Sequence, residues 1–224
     1  MKPRALLVLW ALPLLAACAG TPPPPDWKLN AVEHLERYQQ RWLEGDSRAA
    51  ERNFARARSE LARTGRLDLA ARAELIRCAS RIAGLDFAPC TEYAKLADYA
   101  AAEEAAYARF LADDWQGLNA ALLPRHYAEL TAAKDAGQRN RVVQTIKDPA
   151  ARLIASALLL KSGEIMPETL AAAQTTAAEQ GWRRPLLAWL HVLHQRAEAA
   201  GDRAATDRLQ RQIELVLSAQ PGSP

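Results

Sequence analysis

The chain has 224 residues, 50% hydrophobic and 25% charged, with a formal net charge of +3. This is a globular composition rather than a disordered one. Lys and Arg scattered among Asp and Glu leave no basic stripe of the kind that neutralises phosphates, so no nucleic-acid partner is expected.

In chain order, Lys2 and Arg4 precede an uncharged apolar run from Ala5 to Leu15. That is the charged start and apolar core of a secretory signal. The run falls short of the roughly 18 to 20 residues a spanning helix needs, so residues 1–17 are expected to be cleaved. Thr21, the prolines at 22–25 and Asp26 follow, and residues 18–27 read as a stiff extended tether.

Leu15-Ala16-Ala17-Cys18 resembles the lipobox of bacterial lipoproteins. The resemblance implies that the Cys18 thiol is acylated and that Cys18 becomes the first residue of the mature chain. It makes the lipid bilayer a partner, at about 0.8 kcal/mol for each buried methylene. Ala19 stands where an aspartate commonly signals inner-membrane retention, so the resemblance implies the outer membrane, facing the periplasm. An ordinary signal peptide with Cys18 incidental is the alternative.

Cleavage leaves Cys78 and Cys90 as a pair in a compartment that permits disulfides. If the helix bearing Cys78 ends near Gly84, the sulfur lies about 9 Å back along its axis. Residues 85–90 can span that distance when extended. A bridge would contribute about 2–3 kcal/mol in the chain-entropy model. Two free thiols are the alternative, and the spacing fits neither a redox motif nor a zinc pair.

Residues 28–219 read as one all-α domain, with 220–224 a disordered tail, because almost every segment has helical periodicity and none alternates as a strand does. A first helix from about Asn30 to Glu44 places Leu35, Tyr38 and Trp42 on one face. Gly45-Asp46 breaks it, and Asp46 or Ser47 caps a second helix with the stripe Ala50, Phe54, Ala57, Leu61. A third, from about Leu67 to Ala83, has a surface wide enough for two neighbours.

One long helix is expected from Glu92 to Ala112, a short one from Trp115 to Leu123, and another from Arg125 to Ala136 with Gly137 as its stop. Two helical hairpins follow: Pro149 to Lys161 with Pro167 to Gln180, then Arg184 to Ala200 with Asp202 to Ala219. Pro149 and Pro185 stand 36 residues apart, and Gly163 and Gly201 stand 38 apart, close to the period of a helical-hairpin repeat.

The segment from His34 to Thr64 resembles a tetratricopeptide repeat, with Ala50, Phe54 and Ala57 at that family's small, aromatic and small positions after the Gly45-Asp46 turn. It departs from the pattern at His34 and Tyr38 and lacks the closing proline. The resemblance implies a tetratricopeptide-like, α-solenoid-like array with a concave binding face. An irregular helical bundle built from the same hairpins is the alternative.

Chemistry is sparse. His191 and His194 form an HxxH pair without a third ligand nearby, and HExxH is absent, so neither a metal nor another cofactor is expected. On one continuous helix Glu103 would lie amid Leu96, Tyr99, Tyr107 and Phe110, where a carboxylate needs a partner or has its pKa raised. It is a candidate acid or ligand anchor; pairing with an arginine or exposure to water is the plain alternative. The Glu-Ser step of lytic transglycosylases is missing, as are a nucleophile elbow and a phosphate-binding glycine loop.

The expectation is therefore a lipid-anchored interaction module for an envelope protein or peptide. Its candidate partner-binding residues are Glu103, Tyr99, Tyr107, Trp115 and Trp182, since aromatic residues dominate binding energy where exposed. A peptidoglycan-acting enzyme with Glu103 as its acid is one alternative, and a structural lipid-tethered spacer is another.

Overall fold

The computed structural model describes residues 23–219. The expected signal segment 1–17, Cys18 and the tail 220–224 lie outside them.

The described residues hold eleven α-helices and no strand. They are α1 (Asp26–Glu44), α2 (Ser47–Ala62), α3 (Leu67–Ala83), α4 (Thr91–Ala94), α5 (Ala102–Ala112), α6 (Arg125–Ala132), α7 (Ala136–Thr145), α8 (Pro149–Lys161), α9 (Pro167–Glu179), α10 (Arg183–Ala199) and α11 (Arg203–Ser218). None is long and apolar enough to cross a membrane.

The first hairpin forms as its sequence dictates. Gly45 takes a left-handed conformation at φ 95°, which ends α1 without a Cβ clash. The Asp46 carboxylate then accepts the Ala49 N–H at 2.9 Å and caps α2. Ala50, Phe54, Ala57 and Leu61 are all buried, and the Tyr38 ring meets Phe54 at 5.1 Å. Helix α1 begins at Asp26, inside the segment read as tether, with that acid in its first turn where the helix dipole favours it.

Helix α3 lies centrally and packs on α1, α2, α5 and α8. Helix α8 is buried continuously from Leu153 to Leu159, the signature of a helix covered on all sides. Its start is fixed by Pro149 in the first turn and by the Asp148 carboxylate, which accepts the Ala151 N–H at 2.6 Å.

A solenoid repeat touches only its neighbours in sequence. Here α3 packs on α8 and α10 returns against α1, so the helices close into an irregular bundle rather than an open array. The seam between α1 and α10 is polar as well as packed. Arg184 Nε donates to the Trp42 carbonyl at 2.7 Å, its Nη2 donates to Ser47 Oγ at 2.6 Å, and its guanidinium lies 4.0 Å from the centre of the Trp42 ring.

The middle of the chain departs from the expected helices. Residues 92–112 divide into α4, a 3-10 turn at Ala97–Tyr99, and α5. Two anchors on α3 explain the break. Cys90 is disulfide-bonded to Cys78, with Cα atoms 5.7 Å apart, while Glu104 accepts a hydrogen bond from Arg72 Nε at 2.6 Å. Cys78 and Arg72 are only about 9 Å apart along α3, whereas an unbroken helix from Cys90 to Glu104 would extend about 21 Å. The chain must fold to reach both.

The helix expected over Trp115 to Leu123 is reduced to a 3-10 turn at Ala120–Leu122. Trp115 Nε1 donates to the Phe110 carbonyl at 3.0 Å and folds this stretch back on α5. Gly137 does not stop a helix. It lies in the first turn of α7, whose N-terminus is capped by the Asp135 carboxylate accepting the Gln138 N–H at 2.7 Å. Buried Asn140 ties α7 to the α8–α9 turn: Nδ2 donates to the Glu164 carbonyl at 2.8 Å and Oδ1 accepts the Met166 N–H at 2.9 Å.

Candidate functional site

The disulfide that breaks the middle helix also builds one wall of a pocket of about 490 Å³. Arg81 closes the loop between α3 and α4 on itself, donating from Nε to Asp86 at 2.8 Å and from Nη2 at 3.1 Å. That hydrogen-bonded guanidinium holds the Asp86 carboxyl below the usual carboxylate range. Asp86 in turn accepts the Ala88 N–H at 3.0 Å. Phe87 and Pro89 are thereby presented to the opening, with Phe87 37% exposed.

Opposite stand Ala108 and Leu111 of α5, with Tyr93 between the two walls. The lining is mainly apolar, and its charged members are Arg109, Asp114 and Lys161. Arg109 is satisfied internally: Nε donates to Asp114 at 2.8 Å and Nη2 to the Gln116 carbonyl at 2.6 Å. Lys161 Nζ donates to the Ala112 carbonyl at 3.0 Å and forms no ion pair among the described residues. Nearby, burial raises the Asp113 carboxyl pKa, with Lys161 opposing the shift.

This arrangement can hold an apolar side chain and place a neighbouring anionic group beside Lys161. An apolar pocket with a few placed polar groups is the usual form of a binding site. Its lining contains no histidine, serine or free thiol.

The five expected partner-binding residues lie elsewhere. Glu103 is exposed in the first turn of α5, and its neighbour Glu104 is the buried carboxylate. One Glu104 oxygen pairs with Arg72, and the other has no hydrogen-bond partner among the described residues. Tyr99 is 56% exposed but sits in the 3-10 turn, so the continuous aromatic face expected around Glu103 does not exist.

Tyr107 and Trp115 are half-buried and stack with Phe110 at centroid distances of 6.0 and 5.5 Å. Burial pushes the Tyr107 phenol pKa up. Trp182 is a core residue, and its indole N–H donates to Gln40 Oε1 at 3.4 Å.

Both histidines of the pair lie on α10 with partners of their own: His191 Nδ1 lies 2.7 Å from the Leu187 carbonyl, and His194 Nδ1 lies 3.3 Å from Glu198. Among the described residues no three His, Cys, Asp or Glu side chains gather as a metal site would need. Sequence reasoning missed the pocket residues, although Phe87-Ala88-Pro89, an apolar stretch inside a short disulfide loop, was a legible sign of a rigid hydrophobic wall. No protein-family model matches the chain, and no curated protein or solved structure is significantly similar to it.

Proposed function

We propose that the protein is a lipoprotein of the outer membrane, facing the periplasm, and acts as an interaction module for an envelope protein or peptide. The apolar pocket behind the disulfide-pinned loop carries this reading. A rigid, preformed concavity holds a partner's side chain without the entropy cost of ordering the site. Lys161 at its edge favours a partner with a carboxylate beside that side chain. The Cys78–Cys90 disulfide suits an oxidising compartment, and the lipobox-like Leu15-Ala16-Ala17-Cys18 supplies the anchor. Glu103 does not line this pocket, so the pocket does not recommend it as a peptidoglycan-cleaving acid.

The test is a photocrosslinking residue in place of Phe87 in living cells. A discrete envelope partner is expected, and Ala108→Trp, which fills the pocket from α5, should cut its yield about tenfold, equivalent to roughly 1.4 kcal/mol. The helical circular dichroism and the disulfide should be unchanged. A yield indifferent to Ala108→Trp would overturn the pocket reading. The anchor is checked separately: Cys18→Ser should abolish membrane retention and the mobility shift due to acyl chains, and unchanged retention would exclude lipidation at Cys18.

A further inference from the structure

A second concavity, of about 540 Å³, lies between α1 and α2 and is lined entirely by polar side chains: Arg37, Gln40, Arg41, Arg52, Asn53 and Arg56. The small net charge of the chain conceals this local concentration of arginine. Arg48, Arg52 and Arg56 recur every four residues along the exposed side of α2. Like charges at that spacing repel, so the helix gains nothing from them by itself.

Two of the groove's four arginines are ion-paired on α1, and the α2 carboxylates are engaged away from Arg52 and Arg56. Glu51 accepts from Arg77 at 3.0 Å, and Glu60 pairs with Arg63 at 3.2 Å. On α1, Glu33 pairs with Arg37, and Glu44 pairs with Arg41 at 3.0 Å. Arg52 and Arg56 form no ion pair among the described residues.

We infer that this groove binds a compact phosphate-bearing anion. Guanidinium forks match phosphate oxygens bidentately, and arginines from two helices converge on one space. Gln40 and Asn53 complete the polar lining, each already donating one amide hydrogen, to Glu44 Oε1 at 2.6 Å and to the Ala49 carbonyl at 2.9 Å. The absence of any apolar side chain from the lining argues against an acidic peptide, whose side chains would find nothing to pack on. The site is separate from the pocket proposed above and independent of it.

Calorimetric titration of the full chain with inorganic tripolyphosphate tests the inference. Saturable binding is expected, weakened about tenfold or more in Arg52→Gln/Arg56→Gln and by rising salt. Both side chains are exposed, so the variant keeps its fold. Arg203→Gln/Arg211→Gln on α11 removes the same charge from another exposed surface and should leave affinity unchanged.

A second arm, using Cys18→Ser so that acylation cannot contribute, compares vesicles of phosphatidylglycerol and phosphatidylcholine with vesicles of phosphatidylcholine alone. Retention that depends on Arg52 and Arg56 assigns the phosphate to a lipid headgroup. Tripolyphosphate binding without retention assigns it to a soluble anion. No binding in either arm, equal losses in the two double variants, or polyglutamate binding as tightly as tripolyphosphate would overturn the inference.

Discussion

Phe110→Ala is expected to lower the unfolding free energy by about 3–5 kcal/mol, the range for emptying a buried aromatic site. Phe110 is completely buried, 4.4 Å from the Tyr127 ring and 5.5 Å from the Trp115 ring between centroids. It joins α5 to α6 and to the segment that folds back beneath Trp115. No neighbouring helix can collapse into the space without dragging the others. For a domain of this size the midpoint should fall by roughly 6–20 °C, measurable by circular dichroism. Phe110→Leu keeps most of the volume and should cost less than about 1.5 kcal/mol. A Phe110→Ala loss under about 1 kcal/mol would show that the aromatic cluster does not hold α5.

The same substitution reaches the candidate site. Ala108 and Leu111, on the α5 wall of the pocket, flank Phe110 in sequence, so loosening the cluster frees that wall. Partner capture should weaken in Phe110→Ala even though residue 110 does not line the pocket.

Arg184→Ala is expected to cost about 2–3 kcal/mol, because a charge-assisted hydrogen bond contributes about 1.5–3 kcal/mol and a cation–π contact about 0.5–2 kcal/mol. Against these stands desolvation of the half-buried guanidinium, which lowers the Arg184 pKa. The location of the effect is more diagnostic than its size. Arg184 clasps Trp42 and Ser47 across 142 and 137 residues of chain, so its loss should open the α1–α10 seam first. Hydrogen exchange should rise in α1 and α2 while α8 stays protected. Arg184→Lys keeps the charge but has no planar fork to reach both acceptors and should fall between wild type and Arg184→Ala. Uniform exchange across the bundle would mean that closure does not depend on this residue.

Local rules account for the two ends of the chain. The stripe Ala50, Phe54, Ala57, Leu61, the Gly45 stop and the aspartate caps are satisfied within a few residues of themselves, as are the two C-terminal hairpins with their Pro149 and Gly163 boundaries. The middle was read wrongly because its strongest constraints are remote. The disulfide at Cys78 and the Arg72–Glu104 pair override the helical propensity of the alanine-rich segment between them. One residue of register then decides the candidate acid: successive residues on a helix differ by about 100°, which leaves Glu103 in water and turns Glu104 inward.

The sequence alone determined that this chain is helical, where the turns of its terminal hairpins fall, and which two cysteines could meet, because periodicity, capping and short-loop geometry act over one or two turns. Only the tertiary structure decided that the hairpins close into a bundle, that a loop and α5 enclose an apolar pocket, and that arginines of α1 and α2 share one groove. Those outcomes depend on which surfaces meet across long stretches of chain, and no local pattern of side chains encodes that meeting.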